Sequence, residues 1–259
     1  MHHKLWELLQ FIQHRNNMKK ILLVLTLLVS APGFAQFVFG KDPLLNMEDW
    51  DKQRVHWGYF LGFSSYDFKF KYNDKYYEEH QRNEIQVKSS AGFNVGLVGN
   101  LRLIDHLDLR FEPGLYYTKR DLFFPSIAQE HPENLGLANR SVASTYIHFP
   151  LLLKFSALRT GNIRPYLVGG ISSSLNLSSN HKAKDDNFEG TFRTKQWTTN
   201  YEIGIGVDLY FQYFKLTPSI RGVFGINDEL IRDNRSDSPW TANIESMKTR
   251  GIFINFTFH

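Results

Sequence analysis

The chain has 259 residues, with 30 Lys and Arg against 26 Asp and Glu, 15% aromatic residues and no cysteine. That length suits one barrel-sized domain or two small ones. The mean hydropathy of −0.35 excludes a bundle of membrane-spanning helices, and the lack of cysteine excludes disulfides and a lipid anchor on an N-terminal cysteine. The formal charge of +4 sits largely at the start: residues 1–35 hold Lys4, Arg15, Lys19 and Lys20 against Glu7, so removing them leaves about +1, and no basic face for nucleic acid remains.

In chain order, residues 1–17 precede a second usable start at Met18 and read as an over-long gene start without a role. Residues 18–35 open on Met18-Lys19-Lys20, continue as ILLVLTLLVSAPGFA and end on the small residues Gly33 and Ala35. That is the pattern of a secretory signal peptide, with cleavage expected after Ala35. As a transmembrane helix the run is too short, and Pro32 and Gly33 break it. Residues 36–53, charged and with Asp42-Pro43, read as an irregular periplasmic lead-in to a barrel domain over 54–259.

From there, eight stretches place an apolar residue at every second position, which defines extended strands with two different faces. Strand one, near 54–64, shows Trp57, Tyr59, Leu61 and Phe63 on one face. At Ser64-Ser65 the phase changes and Tyr66, Phe68, Phe70 and Tyr72 carry on, which suggests a bulge or a hairpin arm above the membrane. Strand two lies near 90–101 (Phe93, Val95, Leu97). Strand three runs over 107–117, with Leu109, Phe111 and Leu115 against Arg110 and Glu112. Strand four, near 143–156, sets Ile147, Phe149, Leu151 and Leu153 against His148 and Lys154. Strand five, near 163–178, sets Leu167 and Ile171 against Arg164 and Ser172. Strand six, near 197–211, sets Tyr201, Ile203 and Ile205 against Glu202 and Asp208. Strand seven, near 214–226, sets Ile220 and Phe224 against Lys215 and Arg221. The last strand carries Ile252, Ile254, Phe256 and Phe258.

The links alternate. Short ones fall near 104–106, 158–162 and 212–213, and long polar ones near 65–89, 119–142, 179–196 and 227–248. Short turns at one end and long loops at the other define an all-β, eight-stranded antiparallel up-and-down barrel of the outer-membrane type, with both termini in the periplasm.

A soluble ligand-carrying barrel alternates too, with its apolar face inward and a surface thick in Lys and Glu. Here the less apolar face is built from Gly, Ser, Thr, Asn and Tyr with a few charges of both signs: Arg110, Glu112, Lys154, Arg164, Glu202, Asp208, Lys215 and Arg221. That suits a narrow interior in which charges pair, and an eight-stranded wall encloses a lumen that side chains fill. The opposite face is free of charge, as hydrocarbon requires, so Leu109, Phe111, Phe149, Leu151, Ile203, Ile205 and Phe256 are expected to face lipid. Tyr210, Phe211, Tyr213 and Phe214 flank the shortest turn, where an aromatic girdle belongs.

No catalytic motif stands out. His148, Glu202 and Asp208 on the inner face, with a serine such as Ser144, are the residues a lipid-modifying barrel enzyme would use, but an interior histidine satisfied by a neighbour is the simpler reading. His80, His131 and His181 fall in separate loops. Asp233, Asn234 and Asp237 lack the glycine and closing glutamate of a calcium loop. The expectation is a non-enzyme with no cofactor, no metal, no small-molecule substrate and outer-membrane lipid as its surroundings.

Four runs carry a resemblance: LRFEPGLYYTKR (109–120), STYIHFPLLLKFSALRTGNIRPYLVGG (144–170), YEIGIGVDLYFQYFKLTPSIRGVFGINDEL (201–230) and TRGIFINFTFH (249–259). Together they resemble the PorT family, outer-membrane barrels of the type IX secretion system in Bacteroidota. The resemblance implies a role in cargo export and gliding motility beside other secretion components, with no catalytic residues or cofactor. Because a filled eight-stranded barrel cannot pass a folded protein, the expected role is accessory or assembly. The alternative is a small outer-membrane adhesin or structural barrel of the OmpA and OmpX type.

Overall fold

The structure, a computed structural model, describes residues 45–73 and 84–259. The expected signal peptide, its cleavage site, the start at Met18, most of the lead-in and His80 lie outside the described residues.

Among the described residues ten strands form one antiparallel sheet: β1 (Val55–Tyr72), β2 (Gln86–Ser89), β3 (Ala91–Ile104), β4 (Leu107–Phe111), β5 (Gly114–Phe123), β6 (Asn139–Ser156), β7 (Ile163–Asn176), β8 (Trp197–Tyr210), β9 (Lys215–Gly225) and β10 (Ile244–Phe258). They occupy eight wall positions, because β2 leads into β3 and β4 into β5. The ring closes where β1 pairs with β3 on one side and with β10 on the other. Closure leaves no free sheet edge along the paired lengths, which a membrane-embedded sheet requires.

The third wall strand is divided by Pro113, which has no N–H for the ladder. Pairing with β6 nonetheless keeps one register through the break, from Phe111↔Leu151 to Gly114↔His148. Pro113 still accepts from the Leu97 N–H at 2.9 Å, so the proline interrupts bonds without shifting the wall.

The change of phase expected in strand one is not there. β1 alternates without interruption across Ser64 and Ser65, and its pairing with β10 stays in register until Lys71. What changes is the environment. Up to Phe63 the apolar residues other than Phe60 point outward; from Tyr66 the inner face is apolar, while Asp67, Lys69 and Lys71 take the outer face. The actual slip lies in strand two. Ser89 pairs with Arg120, whereas Phe93 pairs with Tyr117, an offset of one residue. Ile85 and Val87 therefore turn inward on odd numbers, and Asn94 and Val98 on even ones.

The strands also run further than the polar links suggested: 65–72, 86–89, 119–123, 139–142 and 244–248 belong to the wall. At that loop end the interior is an apolar core of Phe68, Leu122, Phe124, Val142, Ile244 and Met247. The helix α1 (Pro125–Glu130) adds Ile127 to it.

Candidate functional site: a lumen closed at three levels

At the turn end the lead-in folds against the barrel. Trp50, in a short 3₁₀ turn (Trp50–Lys52), stacks on His56 with ring centroids 4.4 Å apart. Asp51 accepts from the Tyr210 hydroxyl at 2.9 Å and from Arg164 Nη1 at 3.3 Å. Arg159 lies 3.8 Å from the Tyr210 ring centroid and donates to the Asn46 carbonyl. The lead-in, expected to be irregular, is over these residues an ordered stopper held by charge and stacking.

Deeper in, Asp208 accepts from Lys154 Nζ at 2.6 Å and from the Thr217 hydroxyl at 2.7 Å, with Lys215 at 3.9 Å. The ammonium of Lys154 sits 4.2 Å from the Tyr166 ring centroid. The glycines make room for such side chains: a Cβ on Gly206 would collide with the Tyr166 ring, and one on Gly96 or Gly114 with that of Phe60. At mid-height Glu112 is shared between Arg110 and Arg221, the latter at 2.6 Å. Arg221 also lies 3.6 Å from Glu202, and Arg110 donates to the Thr257 hydroxyl at 3.1 Å. Charges taken out of water are tolerated only when paired and hydrogen-bonded in this way.

His148 joins the same network. Its Nε2 is 2.6 Å from Glu202 and its Nδ1 2.7 Å from the Ser174 hydroxyl. Serine, histidine and glutamate are the members of a hydrolytic triad, but here the set is sealed. His148 and the Glu202 side chain have no exposed surface, and Ser174 also takes a hydrogen bond from Asn200 at 3.1 Å. A nucleophile must reach its substrate before pairing matters. Ser144 donates nothing to His148; it accepts from Arg120 at 3.4 Å.

At the loop end lie buried charges that the sequence reading missed. Arg120, fully buried, stands 3.7 Å from the Phe68 ring centroid and donates to the Tyr146 hydroxyl at 2.6 Å and to Thr249 Oγ1 at 3.3 Å. The Thr249 hydroxyl donates onward to Glu229 at 2.8 Å, and the Thr249 N–H does so at 2.9 Å. Burial pushes the Glu229 carboxyl above its ordinary value, against the pull of these bonds and of Arg120. Above them the loops knit together. Asn187 donates to Asp233 at 3.0 Å, Trp240 Nε1 to the Leu137 carbonyl at 3.3 Å, and Phe188 meets Trp240 edge-on at 4.6 Å. Arg120 keeps the even-number parity of Arg110 and Glu112, a signal available in the sequence; Glu229 and Asp233 lie in loops, where no period exists to read.

All eight charges proposed for the interior are buried: Arg110, Glu112, Lys154, Arg164, Glu202, Asp208, Lys215 and Arg221. The structure draws Arg110, Glu112, Glu202 and Arg221 into one cluster, Lys154, Asp208 and Lys215 into a second, and places Arg164 at the stopper. Of the residues expected outside, Phe111, Leu151, Ile203, Ile205 and Phe256 are exposed, while Leu109 and Phe149 are half-buried among neighbours. The outer face is not free of charge along its whole length, since Lys69, Lys71, Lys119 and Arg250 stand on it towards the loop end. His131 faces Glu133, and Asp237 pairs with Arg235 at 2.8 Å. Asp233 is committed to Asn187 and Ser238. Among the described residues no group of three His, Cys, Asp or Glu could hold a metal ion.

A closed antiparallel ring, apolar outside and ion-paired within, defines an integral β-barrel of the outer-membrane class. The chain belongs to the family of outer membrane protein β-barrel domains, whose model matches residues 34–230. No curated protein matches it. Among solved structures it is similar to the outer membrane protein OprG from Pseudomonas aeruginosa (13% identity, 79% of this chain and 91% of that one, TM-score 0.41). It is similar also to the outer membrane protein AlkL (12%, 85% and 92%, TM-score 0.42) and to Neisserial surface protein A (8%, 79% and 98%, TM-score 0.40).

Proposed function

We propose that the protein is a non-conducting scaffold of the outer membrane, a structural or adhesive barrel that works through its folded loop end, with the turn end in the periplasm. The observation that carries this reading is closure at three levels: the Trp50–Asp51 stopper, the two ion-paired clusters and the apolar core under the loops. An ordered loop cap costs little further entropy on docking a partner, which favours a binding surface over a mobile gate. In planar bilayers the reconstituted protein is expected to show no ion conductance; steady channels of fixed size would refute the scaffold.

A second reading names the partner. The four runs that resemble the PorT family favour an accessory or assembly role in type IX secretion, beside a larger translocon and without catalysis. Deleting the gene separates the two. Cargo trapped in the periplasm and lost gliding would support the secretion role, whereas intact secretion with altered surface attachment would support the adhesive one.

A further inference from the structure

Above the apolar belt, β1 and β10 carry three successive cross-strand rows of charge on the outer face. In the first, Arg250 pairs with Asp67 at 2.5 Å; in the third, Lys71, which stands opposite Ser246, pairs with Glu245 in the adjoining register shift at 2.7 Å. Between them Lys69 stands directly opposite Lys248. Side chains directly opposite in an antiparallel pair have Cβ atoms about 4.5–5.5 Å apart, and like charges there destabilise the sheet. Among the described residues neither lysine's ammonium group has a hydrogen bond or ion pair, although both backbones lie in the ladder. The acids of the flanking rows are already committed, and Glu84, which lines the cleft beside Lys69, makes no ion pair with it. On β1 and β10 the belt ends at the pair Ser65↔Ile252, four residues along β10 from Lys248. At about 3.3 Å per residue and a tilt near 40°, this places the lysines about 10 Å beyond Ile252, in the headgroup layer.

We propose that Lys69 and Lys248 together bind the phosphate of an anionic glycolipid of the lipid A type in the leaflet at the loop end. This rests on the orientation given above, with the loops outside. A phosphate between the two ammonium groups replaces repulsion by two charge-assisted contacts. Two rows close on themselves, and the middle row is left with two donors facing the same gap.

The test uses the full chain purified in mild detergent, with bound lipid read by native mass spectrometry. Wild-type protein is expected to retain phosphorylated lipid A at least fivefold over the same lipid after dephosphorylation, and over phosphatidylglycerol. K69Q/K248Q should lose that preference while keeping its heat-modifiable migration, and K69R/K248R should keep it. Equal retention of dephosphorylated lipid A or of phosphatidylglycerol by the wild type overturns the proposal, as does undiminished preference in the folded double glutamine variant. Orientation is read separately, by an impermeant maleimide on intact cells carrying S178C. Failure to label overturns the orientation and leaves the detergent measurement to judge the lysines.

Discussion

Replacing Arg221 by methionine is expected to destabilise the barrel by about 3–5 kcal/mol, the cost of leaving a buried charge without its partner. Arg221 is the cation that Glu112 and Glu202 have in common, at 2.6 and 3.6 Å. With it gone, Glu112 keeps Arg110 and Glu202 keeps His148, but two buried carboxylates face each other with less positive charge between them. Urea unfolding of vesicle-reconstituted protein, followed by tryptophan fluorescence, reads the change. The same variant with Glu202→Gln should recover most of the loss, because only the balanced pair Arg110–Glu112 then remains charged. A loss below about 1 kcal/mol in the single variant would mean that water reaches the site and the lumen is not closed.

The other large effect tests the opposite face. Ile203→Arg is expected to cost about 2–4 kcal/mol, the penalty for a cation at mid-membrane on the lipid side of a barrel. Ile203 is 65% exposed and lies in register with Gly169 and Gly222, so no neighbour covers the new charge. Tyr213→Arg, in the turn between β8 and β9, should cost about 0–1 kcal/mol, since a charge there reaches the interface. Equal costs at the two positions would show that Ile203 does not face hydrocarbon.

Much of this was legible in the sequence because a period of two is a local property. The parity of Arg110, Lys154, Glu202 and Arg221 assigns each to one face whatever it pairs with, and the burial of all four follows. Which charges meet is a matter of register between strands, and parity is silent on it: Glu202 pairs with His148 and Arg221, and Asp208 with Lys154. The misplaced change of phase has a physical origin. An apolar residue does not by itself mark one face: Phe63 is apolar because hydrocarbon lies outside and Phe68 because a core lies inside. The backbone is the same and the surroundings exchange. The true slip, near Ser89, sits beside a polar link, where alternation is too weak to show it. The contacts that tie the loops, such as Asn187 with Asp233, join distant loop residues that have no period at all.

The pairing of β1 with β10, Tyr59 opposite Phe258, has a consequence for assembly. The first and last strands of the barrel are each other's neighbours, so the growing sheet holds two open edges until synthesis is complete. Such edges are templates for pairing with any other extended chain. The contact joins the two ends of the domain, so it forms late, after the pairings between neighbouring strands are made. During that interval the chain is exposed to aggregation in a way the finished ring is not. A chain shortened by its final strand would keep both edges permanently, and its fate would be set by whatever shields them before the ring can close.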